Sequence, residues 1–70
     1  MKTRYTYIHF TQTYLTNIWT VSNNKSGGTL GMISYYKPWK QFVFSAENEM
    51  DIFSISCLQD IIHFMSQLKP

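Results

Sequence analysis

Cysteine is nearly missing from this sequence: Cys57 is the only one in 70 residues. No disulfide can therefore form within one chain, which removes the cross-link that very small secreted domains commonly rely on. Standing among Ile55, Leu58 and Ile61, a lone cysteine reads as a small buried apolar residue, and it fits a reducing compartment. Long apolar runs are missing as well. The N-terminus opens with Lys2 and Arg4 in the manner of a secretory signal, but threonine, tyrosine, histidine and glutamine interrupt every apolar stretch that follows. Nothing approaches the roughly 18 consecutive apolar residues of a membrane span. The expectation is a soluble, cytoplasmic protein with no membrane partner.

Acidic side chains are missing from residues 1–46. Lys2, Arg4, Lys25, Lys37 and Lys40 stand there unopposed, whereas Glu47, Glu49, Asp51 and Asp60 face only Lys69 in residues 47–70, and the whole chain carries +2. The basic part is also the aromatic part, since only Phe53 and Phe64 follow position 46. A chain of 70 residues is read as one small domain, 1–70, because domains usually hold about 100–150 residues. A core of this size rarely contributes more than about 3–5 kcal/mol, and a partner subunit is a common supplement.

Alternating apolar and polar residues, rich in β-branched and aromatic types, predict strands over 3–10, 16–23, 29–36 and 40–45. In the first, Arg4, Thr6, Ile8 and Phe10 share one side and Tyr5, Tyr7 and His9 the other; Thr11 to Leu15 reads as a connection. Asn23 to Gly28 is the clearest turn, because asparagine and glycine tolerate the positive φ of a hairpin. Gly31 is expected to mark a bulge or a close approach, and Lys37-Pro38 to break the ladder. Leu58, Ile61, Ile62, Met65 and Leu68 then fall on a helical stripe, predicting a helix over 55–68 capped by Ser54 or Ser56, with Ser56 and Gln59 at capping-box spacing. Asp60 and Lys69 are placed to complement its dipole. The fold class expected is α+β: an antiparallel four-stranded sheet followed by one C-terminal amphipathic helix packed on one face.

Chemistry is sparse. His9, His63 and Cys57 have no CxxC, HxxxH or HExxH spacing, and Cys57 and His63 project from different sides of a helix, so no metal site is expected. Cys57 with His9 could form a nucleophile and base only through the fold, and Gly27-Gly28 lacks the residues of a phosphate loop. Glu47, Glu49 and Asp51 read as a solvated loop. The expectation is a non-enzyme with no catalytic residues and no cofactor, and no small-molecule substrate is evident.

One helix covers one face of a sheet and leaves the other wet or buried against a partner. The aromatics Tyr5, Tyr7, Trp19, Tyr35 and Trp39, with Lys37 and Lys40 beside them in sequence, combine stacking platforms with cations, as single-strand nucleic-acid binders do. The same composition suits ordinary core packing or a protein interface. The expected partners are a second copy of the chain in a homodimer, and either single-stranded nucleic acid or another protein.

Trp19, Asn24, Leu30-Gly31-Met32-Ile33-Ser34-Tyr35-Tyr36 and Trp39-Lys40-Gln41-Phe42-Val43-Phe44, followed by Phe53-Ser54, Cys57-Leu58, Asp60-Ile61, Phe64-Met65 and Leu68, form a longer pattern. It resembles a family of small uncharacterised phage and prophage proteins with the pattern W…LG.I.YY..WRQY.F and then CL.DI..F, over about residues 17–68. Lys40 stands where that pattern commonly has arginine, and the turn at Asn23 to Gly28 is longer. The resemblance implies a mobile-element origin and no activity. Sheet followed by helix is also similar to the repeat unit of Whirly and Pur-type single-stranded-DNA-binding proteins, a likeness of fold alone.

Overall fold

In the computed structural model, which describes residues 1–69, the period-two segments become β1 (Ile8–Gln12), β2 (Trp19–Asn23), β3 (Thr29–Tyr36) and β4 (Gln41–Ala46). A short 3₁₀ turn (Lys37–Trp39) joins β3 to β4, and α1 (Ile55–Ser66) follows. The strands form a four-stranded antiparallel sheet in the order β1-β2-β3-β4. The fold is therefore the α+β arrangement expected, a sheet followed by one helix.

Register decides which side chains meet. Phe10, Val21, Gly31 and Ala46 form one row across the sheet, and Gln12, Trp19, Ile33 and Phe44 the next. These rows face α1: the Phe10 and Phe64 rings stack in parallel with centroids 3.9 Å apart, and Trp19 meets Phe64 edge-on at 4.9 Å. Phe64, Ile8, Ile33 and Val21 are the largest fully buried side chains. The opposite face carries Thr11, Thr20, Met32 and Ser45 in one row, with Ser34 and Val43 beside them.

The Asn23 to Gly28 turn folds as its composition demands. Asn23 Oδ1 accepts from the N–H groups of Lys25 and Ser26, and Gly27 takes φ 76°. At Gly31 the expected close approach is the Phe44 ring, whose edge would lie 2.6–2.8 Å from an added Cβ. The register also shifts between Val21 and Ser22, so that Leu30 lacks an opposite residue on β2 and turns to the core beside Gly31.

Limits differ from expectation at both ends of β1, at the start of β2, which is Trp19 rather than residue 16, and by one residue at each end of β4. α1 ends at Ser66 rather than residue 68, and of the two expected caps Ser54 is the one formed. Alternation from residue 3 does not make one strand, because the chain reverses at Thr6-Tyr7: Tyr5 N–H donates to Ile8 O and Phe10 N–H to Thr3 O, both at 2.8 Å. Thr3 to Tyr5 thus runs back along the outer edge of β1, and the reversal resets parity, carrying Tyr5 into the core with Ile8 and Phe10. Thr11 and Gln12, read as connection, continue β1 because Thr20 and Trp19 pair with them. The helix cap is Ser54, whose Oγ accepts from Cys57 N–H at 3.1 Å, so the Ser56 and Gln59 pair lies inside the helix. Consequently Asp60 falls beyond the first turn, where the dipole effect has faded, and His63 is the basic residue of the last turn.

Candidate interaction surface

The helix has three distinct sides. At about 100° per residue, Cys57, Ile61, Phe64 and Leu68 share one side, and they pack on the sheet. A second side, carrying Asp60, His63 and Gln67, faces the N-terminal arm. Gln67 clasps Lys2 reciprocally, its Oε1 accepting from Lys2 N–H at 2.9 Å and its Nε2 donating to Lys2 O at 2.8 Å. Tyr5 Oη and His63 Nδ1 share a hydrogen bond of 2.7 Å, and the Lys2 ammonium lies 4.6 Å from the Tyr5 ring centroid. Burial raises the Tyr5 phenol above its ordinary pKa of 10.0, and the Asp60 carboxylate adds to the shift.

The third side carries Ile55, Leu58 and Ile62 at i, i+3 and i+7, and here the structure departs from the expected stripe. Ile55 is 76% exposed and Ile62 is 66% exposed, although Ile62 and Leu58 both belong to the apolar stripe expected along the helix. Phe64 takes the central place instead. Beside Ile62 opens a groove of about 430 Å³ between α1 and β4, lined by Tyr35, Lys40, Phe42, Met65 and Leu68. β4 is the last strand of the sheet, so one edge of its backbone pairs with no other strand.

Edge polarity follows from one bond. Glu47 N–H donates to Leu30 O at 2.9 Å, and alternation along an antiparallel pair then turns Ser45, Val43 and Gln41 toward β3. The N–H and C=O groups of Phe42, Phe44 and Ala46 point out from the free edge. Nothing in Gln41–Ala46 is charged and none of it is proline, so β4 lacks the side-chain devices that usually blunt an edge. At the other end of the sheet, Thr3 to Tyr5 already occupies the edge at Ile8 and Phe10.

The residues expected to form an aromatic and basic binding face do not share one. Tyr5 is 8% exposed and lies in the core with Trp19 packed against it. Tyr35 is on the helix side, edge-to-face with Phe42 at 5.2 Å. Tyr7 is exposed at the arm's reversal, next to Asn24, whose N–H donates to Tyr7 O. Lys37, Trp39 and Lys40 lie together in the β3–β4 turn, at the opposite end of β3, roughly 25 Å of strand away. There Trp39, 66% exposed, meets the Tyr36 ring edge-on at 5.0 Å, so Tyr36 joins this corner beside the expected site residues.

Asn24, which the sequence marks only as turn composition and as one position of the longer pattern, has a structural role. Its Nδ2 donates to Tyr5 O at 2.8 Å and Thr6 O at 3.2 Å, which leaves Oδ1 to accept from His9 Nδ1 at 2.6 Å and Arg4 at 3.1 Å. With the amide so oriented, His9 must carry its proton on Nδ1. His9 is thereby spent on the arm, on the sheet face away from α1, while Cys57 packs into the core from the helix; the fold does not bring them together. Among the described residues no group of three or more histidine, cysteine or carboxylate side chains is placed to hold a metal, and no helix is long and apolar enough to cross a membrane. No protein-family model, curated protein or solved structure matches this chain.

Proposed function

We propose that this chain is a non-enzymatic binding module that works by protein contact, through the side formed by the open edge of β4 and the Ile55, Leu58 and Ile62 stripe. The observation that carries this reading is Ile62, a large apolar side chain left 66% exposed beside an apolar groove and an unpaired strand edge. Large apolar residues adjoining main-chain donors and acceptors are what a strand- or helix-presenting protein partner engages. Membership of a phage or mobile-element accessory class rests on the sequence pattern alone.

A second reading, contact with single-stranded nucleic acid, is favoured only at the Tyr36, Lys37, Trp39 and Lys40 corner, where an exposed aromatic pair adjoins two cations. Titrating Trp19 and Trp39 fluorescence with oligo-dT at low and moderate salt separates the two. The protein-contact reading expects no saturable change. Saturable quenching that weakens steeply with salt, and that Trp39→Ala abolishes, would replace it with the nucleic-acid reading.

A further inference from the structure

We infer that the partner on this side is a second copy of the chain, joined antiparallel through β4 so that two sheets continue as one; this inference rests on the protein-contact reading above. Three observations converge on a self-pairing. The first is polarity: the outward N–H and C=O groups of Phe42, Phe44 and Ala46 form a donor and acceptor series that an antiparallel copy of itself satisfies. Pairing Phe44 with Phe44 of the second copy sets Phe42 against Ala46 and uses every one of those groups.

The second is charge. Lys37 and Lys40 precede β4, and Glu47, Glu49 and Asp51 follow it. Antiparallel pairing brings the basic turn of each copy toward the acidic loop of the other. Parallel pairing would set like charges side by side, so the charge order along the chain selects the two-fold arrangement.

The third is the apolar stripe. In an antiparallel ladder, residues directly opposite share a face, so both helices lie on the same side of the joined sheet. The side of α1 away from the N-terminal arm, carrying Leu58 and Ile62, then borders the two-fold axis together with the groove over Phe42. Each copy supplies the apolar surface that the other's groove leaves wet. The opposite edge of the sheet offers no equal alternative, since Thr3 to Tyr5 already pairs with β1 there.

Light scattering across a concentration series is the direct test, read together with amide exchange of the unmodified protein. The expected result is a mass approaching twice the 8.3 kDa chain as concentration rises, with exchange at Phe42, Phe44 and Ala46 slowing in step. Ala46→Pro, which removes an outward N–H and leaves the bonds to β3 in place, and Ile62→Lys should each weaken association at least about tenfold, with an unchanged circular dichroism spectrum, if each removes on the order of 1.4 kcal/mol. A monomer at every concentration overturns the dimer and leaves the protein-contact reading standing, because that reading is tested separately, by the oligo-dT titration. A dimer indifferent to both substitutions, or without protection at those amides, also overturns the inference, since it would use another surface.

Discussion

Tyr5 Oη and His63 Nδ1 lie 2.7 Å apart, so a residue from the first turn of the chain is bonded to the last turn of α1. The same arm is held at Lys2 by Gln67. In a chain without a disulfide, these contacts close the sheet and helix into one unit. Tyr5→Phe keeps the ring against Phe10 and removes the bond, and should cost about 1 kcal/mol in a urea titration.

The Tyr5 phenol also predicts an alkaline limb. Its folded-state pKa is raised by burial and by Asp60, so the folded protein favours the protonated form more than the unfolded chain does. The associated stability is complete below the unfolded pKa of about 10 and is lost as pH rises through the folded value. Thermal melts of the parent should decline from pH 10 upward. Tyr5→Phe should flatten that decline, and an identical decline in both proteins would assign it to other groups.

Asn24 joins the arm to the β2–β3 hairpin through both ends of its amide. Asn24→Ala should cost about 2 kcal/mol, because it leaves main-chain carbonyls and His9 without partners. Asn24→Asp is the sharper variant. It keeps an acceptor for His9 and Arg4 but turns a second oxygen toward Tyr5 O and Thr6 O, so it should fail to restore stability at neutral pH. Full recovery with aspartate would mean that the donor half of the amide carries nothing.

The architecture was legible in the sequence wherever local chemistry and tertiary packing agree. β3 keeps the limits that alternation gave it, and the Asn23 to Gly28 turn forms because its residues have few other options. Legibility failed where the chain changes direction inside a periodic segment. Arg4 to Phe10 alternates perfectly, yet the reversal at Thr6-Tyr7 puts Tyr5 on the same side as Ile8, and periodicity has no sign for a reversal. The dispersal of the aromatic set follows from that reversal and from strand parity, since Trp19 and Tyr35 fall on the helix side while Trp39 lies in a turn. For the helix, a signal was available: Ile55, Leu58 and Ile62 widen the apolar arc beyond what one sheet can cover. Only the position of Phe64 over Phe10 decides which part of that arc is left out.

Gly31 sits beneath the Phe44 ring, and an added Cβ would also collide with the Ser45 carbonyl oxygen. Gly31→Ala should therefore destabilise by about 1–3 kcal/mol, the range for forcing atoms into filled space. Shrinking the ring alone should not rescue it, because the nearest obstacle is main chain. The double variant Gly31→Ala, Phe44→Leu is expected to melt no higher than Gly31→Ala by itself; recovery would place the constraint in the ring instead.

Adjacent isoleucines in α1 give the most direct comparison of burial with exposure. Ile61 is 3% exposed and Ile62 is 66% exposed, although sequence periodicity places both on one stripe. In the monomer, Ile61→Ala removes a packed side chain and should cost about 2–5 kcal/mol. Ile62→Ala exchanges a surface side chain for a better helix former and should lie within about 0.5 kcal/mol of the parent at low protein concentration. If the two residues instead cost the same under those conditions, Ile62 would be packed and the stripe that defines the interaction surface would not exist. A cost at Ile62 that grows with protein concentration has a different meaning. Association stabilises the folded chain by mass action, so such growth would place Ile62 at an interface between copies.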